Sequence, residues 1–478
     1  MSTRTKRFNA LSVAAAIALA GLSAPAFAGH AYLDSLNADG NSQFIVKYRS
    51  GSAPATSPAS MKASLDSAAS RVAWSSGKDD KPGLRALRQM ILPGGRVIGT
   101  DTPLNRADAA ALMRQIAADP NVEFVQRDGA VRGLMLPNDS KFSQQWNLAD
   151  SATGIQAPTA WDSSTGTGVV VAVIDSGIYS HTDLNGNILP GYDFISSLTG
   201  LSDADCKTMG KLSGCGSPED GDGRDANPID TSKVGHGTHV SGIIGALTNN
   251  ATGIAGVAHG AKILPIRVLG KQSAGKESDI YDAIVWASGG SVAGVPANAN
   301  PAKVINLSLA GALPALCNDS PGWTSAINAA VANGSTVVAS AGNKKEEVTT
   351  VTPAGCNNVI SVAASDKNGA LASYSASGAT LDLTAPGGAS GEFGTSAADA
   401  ITSTVASDRY GLAVGTSMAA PHVAGVAALI LSAAPTKTPA QVEQILKSSA
   451  RPIPLTQCAT GCGAGLIDAA AAVAAAKK

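Results

Sequence analysis

"GVVVAVID", residues 168–175, decides how this chain is built. Small and β-branched apolar residues run without polar alternation, which suits a strand buried on both faces. Four more segments carry the same signature: "AKILPIRVLG" (261–270), "AKVINLSLAG" (302–311), "STVVASAGN" (335–343) and "NNVISVAAS" (357–365). Helical candidates lie between or beyond them, at 236–248, 278–289, 320–333, the segment after Ser417, and 438–450. Such alternation predicts an α/β fold, a mainly parallel central sheet with helices on both faces. Ligands on such sheets bind beyond the carboxyl ends of the strands. Asp175, a charge directly after an apolar run, stands at one of those ends.

Working outward, the chain before residue 135 reads differently. Lys6 and Arg7 precede the apolar run "ALSVAAAIALAGLSA", and "AFA" ends at Ala28. A basic start, a short apolar stretch and a small-x-small site predict a signal peptide over 1–28 and an exported protein. The run is shorter than the roughly 20 residues needed to span a bilayer. The later apolar "VAGVAALILSAA" also reads as too short, stopping at Pro435. From 29 to 134 a small α+β pattern is expected: a strand at 43–50, a helix at 106–120 and a strand at 121–132, with weak periodicity between. "LMLPNDSKFSQQWNL" (134–148) has the Pro, Asn and Asp of an exposed boundary, so 135–478 forms the main domain.

Composition narrows the partners. Basic residues number 35 and acidic residues 36, a balance that offers no electrostatic case for nucleic acid or an anionic membrane. With 44% hydrophobic and 15% charged residues, a large core is available. The six cysteines are Cys206, Cys215, Cys317, Cys356, Cys458 and Cys462. An even count in an exported chain favours disulfides, with several pairings open. Sequence proximity suggests Cys206–Cys215 and Cys458–Cys462, leaving Cys317–Cys356. No CxxC is present to argue for zinc.

The chemistry is posed by "GTSMAAPHVAG" (415–425), where Ser417 opens an apolar, Ala-rich helix. A serine hydroxyl is a weak nucleophile until a base takes its proton. Among six histidines, His422 is nearest in sequence, but five residues of helix turn it away from Ser417, and it reads as packed or hydrogen-bonded. His236, opening "HGTHVSG" between two glycines, is the better base. His239 beside it does not make a metalloprotease pair, because H-E-x-x-H is absent. Asp175 either caps the Ser176–Gly177 turn or points at a partner across the strand ends.

Taken in order, "VAVIDSGI", "GHGTHVSGIIG" and "GTSMAAPHVAG" resemble the three active-site motifs of the subtilisin-like serine proteases. The order acid, base, serine belongs to that family. It excludes the α/β-hydrolase arrangement, in which the serine comes first within G-x-S-x-G. The resemblance covers about residues 135 to 470. It implies Ser417 as nucleophile, His236 as general base and then acid, and Asp175 as the residue holding His236. "VVASAGN" resembles the oxyanion segment and gives Asn343 that role. "NLSLAG" resembles the edge that aligns substrate backbone, implying Ser308, Leu309, Ala310 and Gly311, with Ser340, Ala341 and Gly342 flooring the first pocket. Ala310 stands where the family often has Gly, and its methyl is expected to tighten the pocket mouth.

The resemblance further implies a structural Ca²⁺ held by Asp139, Asp183 and Asn250 with carbonyls at Thr248, Thr252 and Ile254. Hard oxygen ligands on a looped backbone suit that ion. The acidic loop "PEDGDGRDANPID" (218–230) reads equally as a second ion site or a solvated loop. Residues 29–134 resemble the family's propeptide, an intramolecular folding aid and inhibitor removed by self-cleavage near 130–137. The expected protein is a secreted, monomeric serine endopeptidase that acts on proteins or peptides. It binds no nucleic acid, forms no stable membrane association and uses no cofactor for the chemistry. The rival of another class is a catalytically silent binding protein, which nothing in the three motifs favours.

Overall fold

The computed structural model describes residues 29–75, 82–129, 136–232, 235–311, 316–389 and 399–478. The expected signal segment 1–28, and the expected cut region except residues 136 and 137, lie outside the described residues. The chain divides into two compact units, Met1–Gly133 and Leu134–Lys478.

The first unit contains β1 (His30–Tyr32), β2 (Asn41–Tyr48), α1 (Pro58–Ser70), β3 (Leu84–Gln89), β4 (Gly95–Leu104), α2 (Arg106–Ala117) and β5 (Val122–Arg127). Its sheet runs β1-β5-β2-β4-β3. β1 and β5 are parallel and the other pairs antiparallel. Phe44, Val46 and Val125 meet Leu65 of α1 and Leu112, Met113 and Ile116 of α2 in one core. The sequence reading missed α1, β3 and β4. In α1 the buried positions are Met61, Leu65, Ala68 and Ala69, helical in spacing but diluted by serines and alanines. Its start is set by Pro58 and by the Ser57 hydroxyl, which accepts from the Ser60 amide at 3.3 Å. The helix expected over 106–120 stops at Ala117, three residues before Pro120.

The second unit contains β6 (Val170–Asp175), β7 (Tyr192–Asp193), α3 (His236–Gly245), β8 (Lys262–Arg267), α4 (Glu277–Ala287), β9 (Val304–Leu307), α5 (Pro321–Ala332), β10 (Thr336–Ser340), β11 (Val359–Ser365), β12 (Leu383–Pro386), β13 (Ile401–Val405), β14 (Arg409–Ala413), α6 (Thr416–Ala433), α7 (Pro439–Ser449) and α8 (Ala469–Ala476). Seven strands form one sheet in the order β7-β8-β6-β9-β10-β11-β12, and every neighbouring pair is parallel. β6 explains the unbroken apolar run. Val171 and Val173 face α3 and α6 through Val240, Ile243 and Val423. Ala172 and Ile174 face α4 and α5 through Ile280, Ile284, Trp323 and Ile327. The fold is the α/β sheet with helices on both faces that the alternation predicts. β7, β12, the β13–β14 hairpin and α8 were not legible, being short or weakly patterned.

β6 sits between β8 and β9, so the chain crosses from one side of β6 to the other between them. The strand order reverses there, and the carboxyl ends of β6 and β9 bound a crevice, the place where such sheets bind ligands. Asp175 ends β6 and Ser308 follows β9.

α6 is 18 residues, longer than its sequence suggested, and apolar enough by composition to cross a bilayer. Pro421 does not stop it, and Pro435 lies beyond its end. Yet 83% of it is buried within the protein, where small side chains let it lie close to the sheet. Gly425 shows the closeness: a Cβ there would come within 2.7 Å of Val257. Three disulfides join Cys206–Cys215, Cys317–Cys356 and Cys458–Cys462, the pairs suggested by proximity, with Cα separations of 5.8, 5.0 and 6.0 Å.

Gly425→Ala should therefore overpack the helix–Val257 contact and lower stability by about 1–3 kcal/mol. Chemical denaturation of the purified protein measures this; an unchanged midpoint would contradict the packing described.

Candidate active site

Asp175 is fully buried, and its carboxylate serves both roles left open by the sequence. Oδ1 accepts from the Ser176 amide at 2.7 Å, and the two oxygens lie 2.8 and 3.0 Å from His236 Nδ1. An acceptor-only carboxylate on Nδ1 fixes the tautomer with the proton there. His236 is the first residue of α3, after Gly235 in the left-handed region at φ 67°. Gly237 allows the close approach: a Cβ on it would meet the Gly177 carbonyl at 2.3 Å. Burial alone would lower the His236 pKa. The charge and hydrogen bond of Asp175, with the charge of Asp230, outweigh burial and hold it above the ordinary value.

Ser417 lies in the first turn of α6, and its hydroxyl donates to the Ser308 carbonyl at 3.2 Å. Ser308 returns the contact, its hydroxyl donating to the Ser417 carbonyl at 2.8 Å while accepting from Asn306 Nδ2 at 2.9 Å. The two segments are thus tied across the crevice. Asn343 is oriented by its carbonyl oxygen, which accepts from the Thr416 amide and hydroxyl, both at 2.9 Å. Its NH₂ is thereby left to donate elsewhere. Gly415, at φ 146°, passes beside that group; a Cβ there would lie 3.4 Å from Asn343 Nδ2.

A cavity of 330 Å³ opens from Ser417 and Asn343 between Leu309, Ala310 and Gly311 on one side and Ser340 and Gly342 on the other. Gly342 takes φ 112°, a backbone conformation that side-chain-bearing residues rarely adopt, so the backbone favours glycine there. Ala341 is different: its methyl turns into the apolar core rather than the cavity. A second cavity of 760 Å³ adjoins along the same edge, sharing Leu309, Ala310 and Gly311 and reaching Trp323 and Ile280. Thr208 and Met209 wall both cavities. They come from the loop stapled by Cys206–Cys215, a contribution without any sequence signal beyond the cysteines.

Residues 166–465 match the subtilase family model. An extracellular protease of Xanthomonas campestris pv. campestris is 46% identical over 498 residues, covering 100% of this chain and 81% of the relative. Thermitase of Thermoactinomyces vulgaris is 36% identical over 297 residues, covering 62% and 85%. Among solved structures, a protease of Pseudoalteromonas arctica superimposes with a TM-score of 0.63 at 46% identity, covering 72% of this chain and 100% of that one. The chain belongs to the subtilase family. It is a subtilisin-like serine endopeptidase.

In this subtilase two of the other histidines, His422 and His239, have structural partners. His422 is fully buried; its Nδ1 donates to the Met418 carbonyl at 2.8 Å and Nε2 accepts from Asn147 at 2.7 Å. His239 is equally buried, with Nε2 3.2 Å from the Ile401 carbonyl. Burial holds His239 down at about 3 and His422 at about 4.

Asp139 and Asp183 come from separate segments and converge on the 248–254 loop. Asp139 accepts from the amides of Asn249 and Asn250 at 3.0 and 3.3 Å. Asp183, fully buried, accepts from Asn250 Nδ2 at 2.7 Å, the Ile254 amide at 3.0 Å and the Tyr410 hydroxyl at 3.1 Å. Among the described residues no three His, Cys, Asp or Glu side chains group as metal ligands. The place offers two carboxylates and loop carbonyls as hard oxygens, whereas Asn250 turns its Nδ2 to Asp183 and its Oδ1 accepts from the Thr252 amide at 2.8 Å. Burial raises the Asp183 pKa despite those donors.

The acidic loop 218–230 is exposed or half-buried over 219–229 and is anchored by charge. The fully buried Arg267 gathers it, pairing with Asp220 and the Pro218 carbonyl, and with Asp193 at 2.8 Å and Thr231 Oγ1 at 2.7 Å. Arg224 in the loop pairs with Asp279 and Asp282 at 2.7 and 2.8 Å.

His239 and His422 stay neutral when folded but take protons when unfolded below their ordinary pKa near 6.5. Their contribution is present above about pH 6.5 and is lost as pH falls toward their folded values. Melting temperature measured from pH 7 down to 4 should therefore fall, and replacing His422 by a neutral residue that still folds should flatten part of that slope.

Proposed function

We propose that Asp175, His236 and Ser417 perform the hydrolysis through an acyl-enzyme on Ser417. The observation that carries this reading is the 2.8 Å contact of His236 Nδ1 with a fully buried carboxylate at the sheet's switch point. With the Nδ1 proton held by Asp175, Nε2 is the basic nitrogen. It takes the Ser417 proton as the oxygen attacks the scissile carbonyl, and then gives that proton to the leaving amine. Water repeats the sequence to release the acid. The carbonyl oxygen, negative in the tetrahedral intermediate, is received by Asn343 Nδ2 and the Ser417 amide. A pre-oriented donor of this kind acts without reorganisation in the transition state. Ser308 to Gly311 align the extended substrate backbone, and the 330 Å³ cavity takes the side chain next to the cut.

The same reading makes residues 29–134 a propeptide that assists folding, inhibits the enzyme and is removed by self-cleavage near 130–137. Export as a monomer, with protein or peptide substrates, completes it. The extracellular relative supports export. Asp139, Asp183 and Asn250, with carbonyls of Thr248, Thr252 and Ile254, would hold Ca²⁺. The ion supplies a cross-link between the start of the second unit and a surface loop, and takes no part in the chemistry.

His236→Ala should abolish peptide hydrolysis, self-processing and labelling of Ser417 by a serine-directed phosphonate, whereas His422→Ala, if folded, should still label. Equal labelling of both variants would sink the assignment. Because a protonated imidazole accepts no proton and His236 is held above its ordinary value, kcat/KM should rise with pH through a titration above about 6.5. Asn343→Ala should reduce kcat by about 10²–10³, a magnitude established within this same family, with KM little changed.

Chelation should shorten the thermal inactivation half-life, and Asp183→Asn should reproduce the loss and blunt the response to added calcium. Identical half-lives with chelator and with millimolar calcium would remove the ion from the account.

A further inference from the structure

A second buried carboxylate lies beside the catalytic pair. Asp230 is 1% exposed, and its Oδ2 accepts from the Ser176 hydroxyl at 2.7 Å. That hydroxyl accepts in turn from the Gly237 amide at 3.0 Å, the residue after His236. The Ser176 amide holds Asp175 Oδ1 at 2.7 Å. Ser176 therefore ties the acid of the triad, the start of the helix that carries the base, and Asp230. The other Asp230 oxygen accepts from the Ser232 amide at 2.7 Å, closing the turn that leads toward His236.

We propose that Asp230 is a positioning residue for the His236–Asp175 pair, locking Ser176 against both partners and placing a second negative charge within electrostatic reach of the imidazole. The inference rests on His236 being the general base.

The charged and titratable surroundings are fixed by neighbouring elements. β6 supplies Asp175. β8 supplies Arg267, whose guanidinium holds Thr231, next in the chain to Asp230, and pairs with Asp193 of β7 and Asp220. Tyr179 donates its hydroxyl to the Ser232 carbonyl and lies in the field of Asp230 and Arg267. His239 of α3 feels His236. Among these groups, Asp175 and Asp230 are the two carboxylates that favour His236 in its protonated form. An isolated second carboxylate would be costly; burial, with the charge of Asp175, still raises the Asp230 pKa, while the Ser232 hydroxyl and amide and the Ser176 hydroxyl offset part of that cost.

Asp230→Asn keeps an acceptor oxygen for Ser176 and removes the charge. The acidic limb of its kcat/KM profile should move down by about 0.5 pH unit, which retains roughly threefold more relative activity on the acid side. Ser176→Ala keeps the charge and cuts the tether; it should lower kcat about tenfold and shift the limb less. Both profiles are read beside the rate of phosphonate labelling of Ser417 and the melting temperature. A folded Asp230→Asn whose acidic limb coincides with the parent overturns the electrostatic role. A folded Ser176→Ala with unchanged kcat overturns the tether, and it decides that point even if Asp230→Asn fails to fold. Retained labelling in His236→Ala would instead overturn the assignment of the base, a separate failure.

Discussion

A carboxylate with no exposure at the end of the central strand constrains everything near it. Leaving water costs an unpaired ion several kcal/mol, so such a group persists only where donors are supplied. Asp175 receives them from the Ser176 amide and from His236 Nδ1. The second donor ties the end of β6 to the first residue of α3. Gly235 and Gly237 are the backbone solution to that tie, one by its left-handed conformation and the other by the absence of a side chain. The arrangement that satisfies the buried charge also orients the imidazole, so the buried ion and the ring depend on one contact.

The opposite side of the crevice is organised by α6. Its serine end must meet strands β9 and β10 at their carboxyl ends, while its apolar body fills the layer above the sheet. Alanines and Gly425 let the helix approach, and the hydrogen bonds between Ser308 and Ser417 and between Asn343 and Thr416 fix its start. Asn343 is held through its oxygen, leaving its nitrogen to donate elsewhere. Rigid packing behind Ser417 and polar pinning in front of it divide the work.

Around this centre, loops are held by charge as much as by apolar contact. Arg267, in register with Asp175 on one neighbour and Asp193 on the other, collects the acidic loop that ends at Asp230. The Cys206–Cys215 bridge fixes the wall shared by two substrate-side cavities.

The sequence alone determined the doubly covered parallel sheet, because strands buried on both faces show unbroken apolar runs such as 168–175. It also singled out Asp175, His236 and Ser417, since each sits in a glycine-marked motif at an element's end. The proximity pairs of cysteines were legible for a similar reason, being local. Tertiary structure alone decided what depends on distant partners. Helix α1, strand β12 and hairpin β13–β14 lack strong periodicity and exist through packing and pairing with remote segments. Ser176 read as a turn residue and Asp230 as the end of an acidic loop until the fold brings them together across 54 positions of chain. Ala341 looked like cavity floor, but the alternation of side chains along the sheet turns its methyl to the core. Local pattern specifies which elements form; burial and long-range hydrogen bonding specify which polar groups those elements must share.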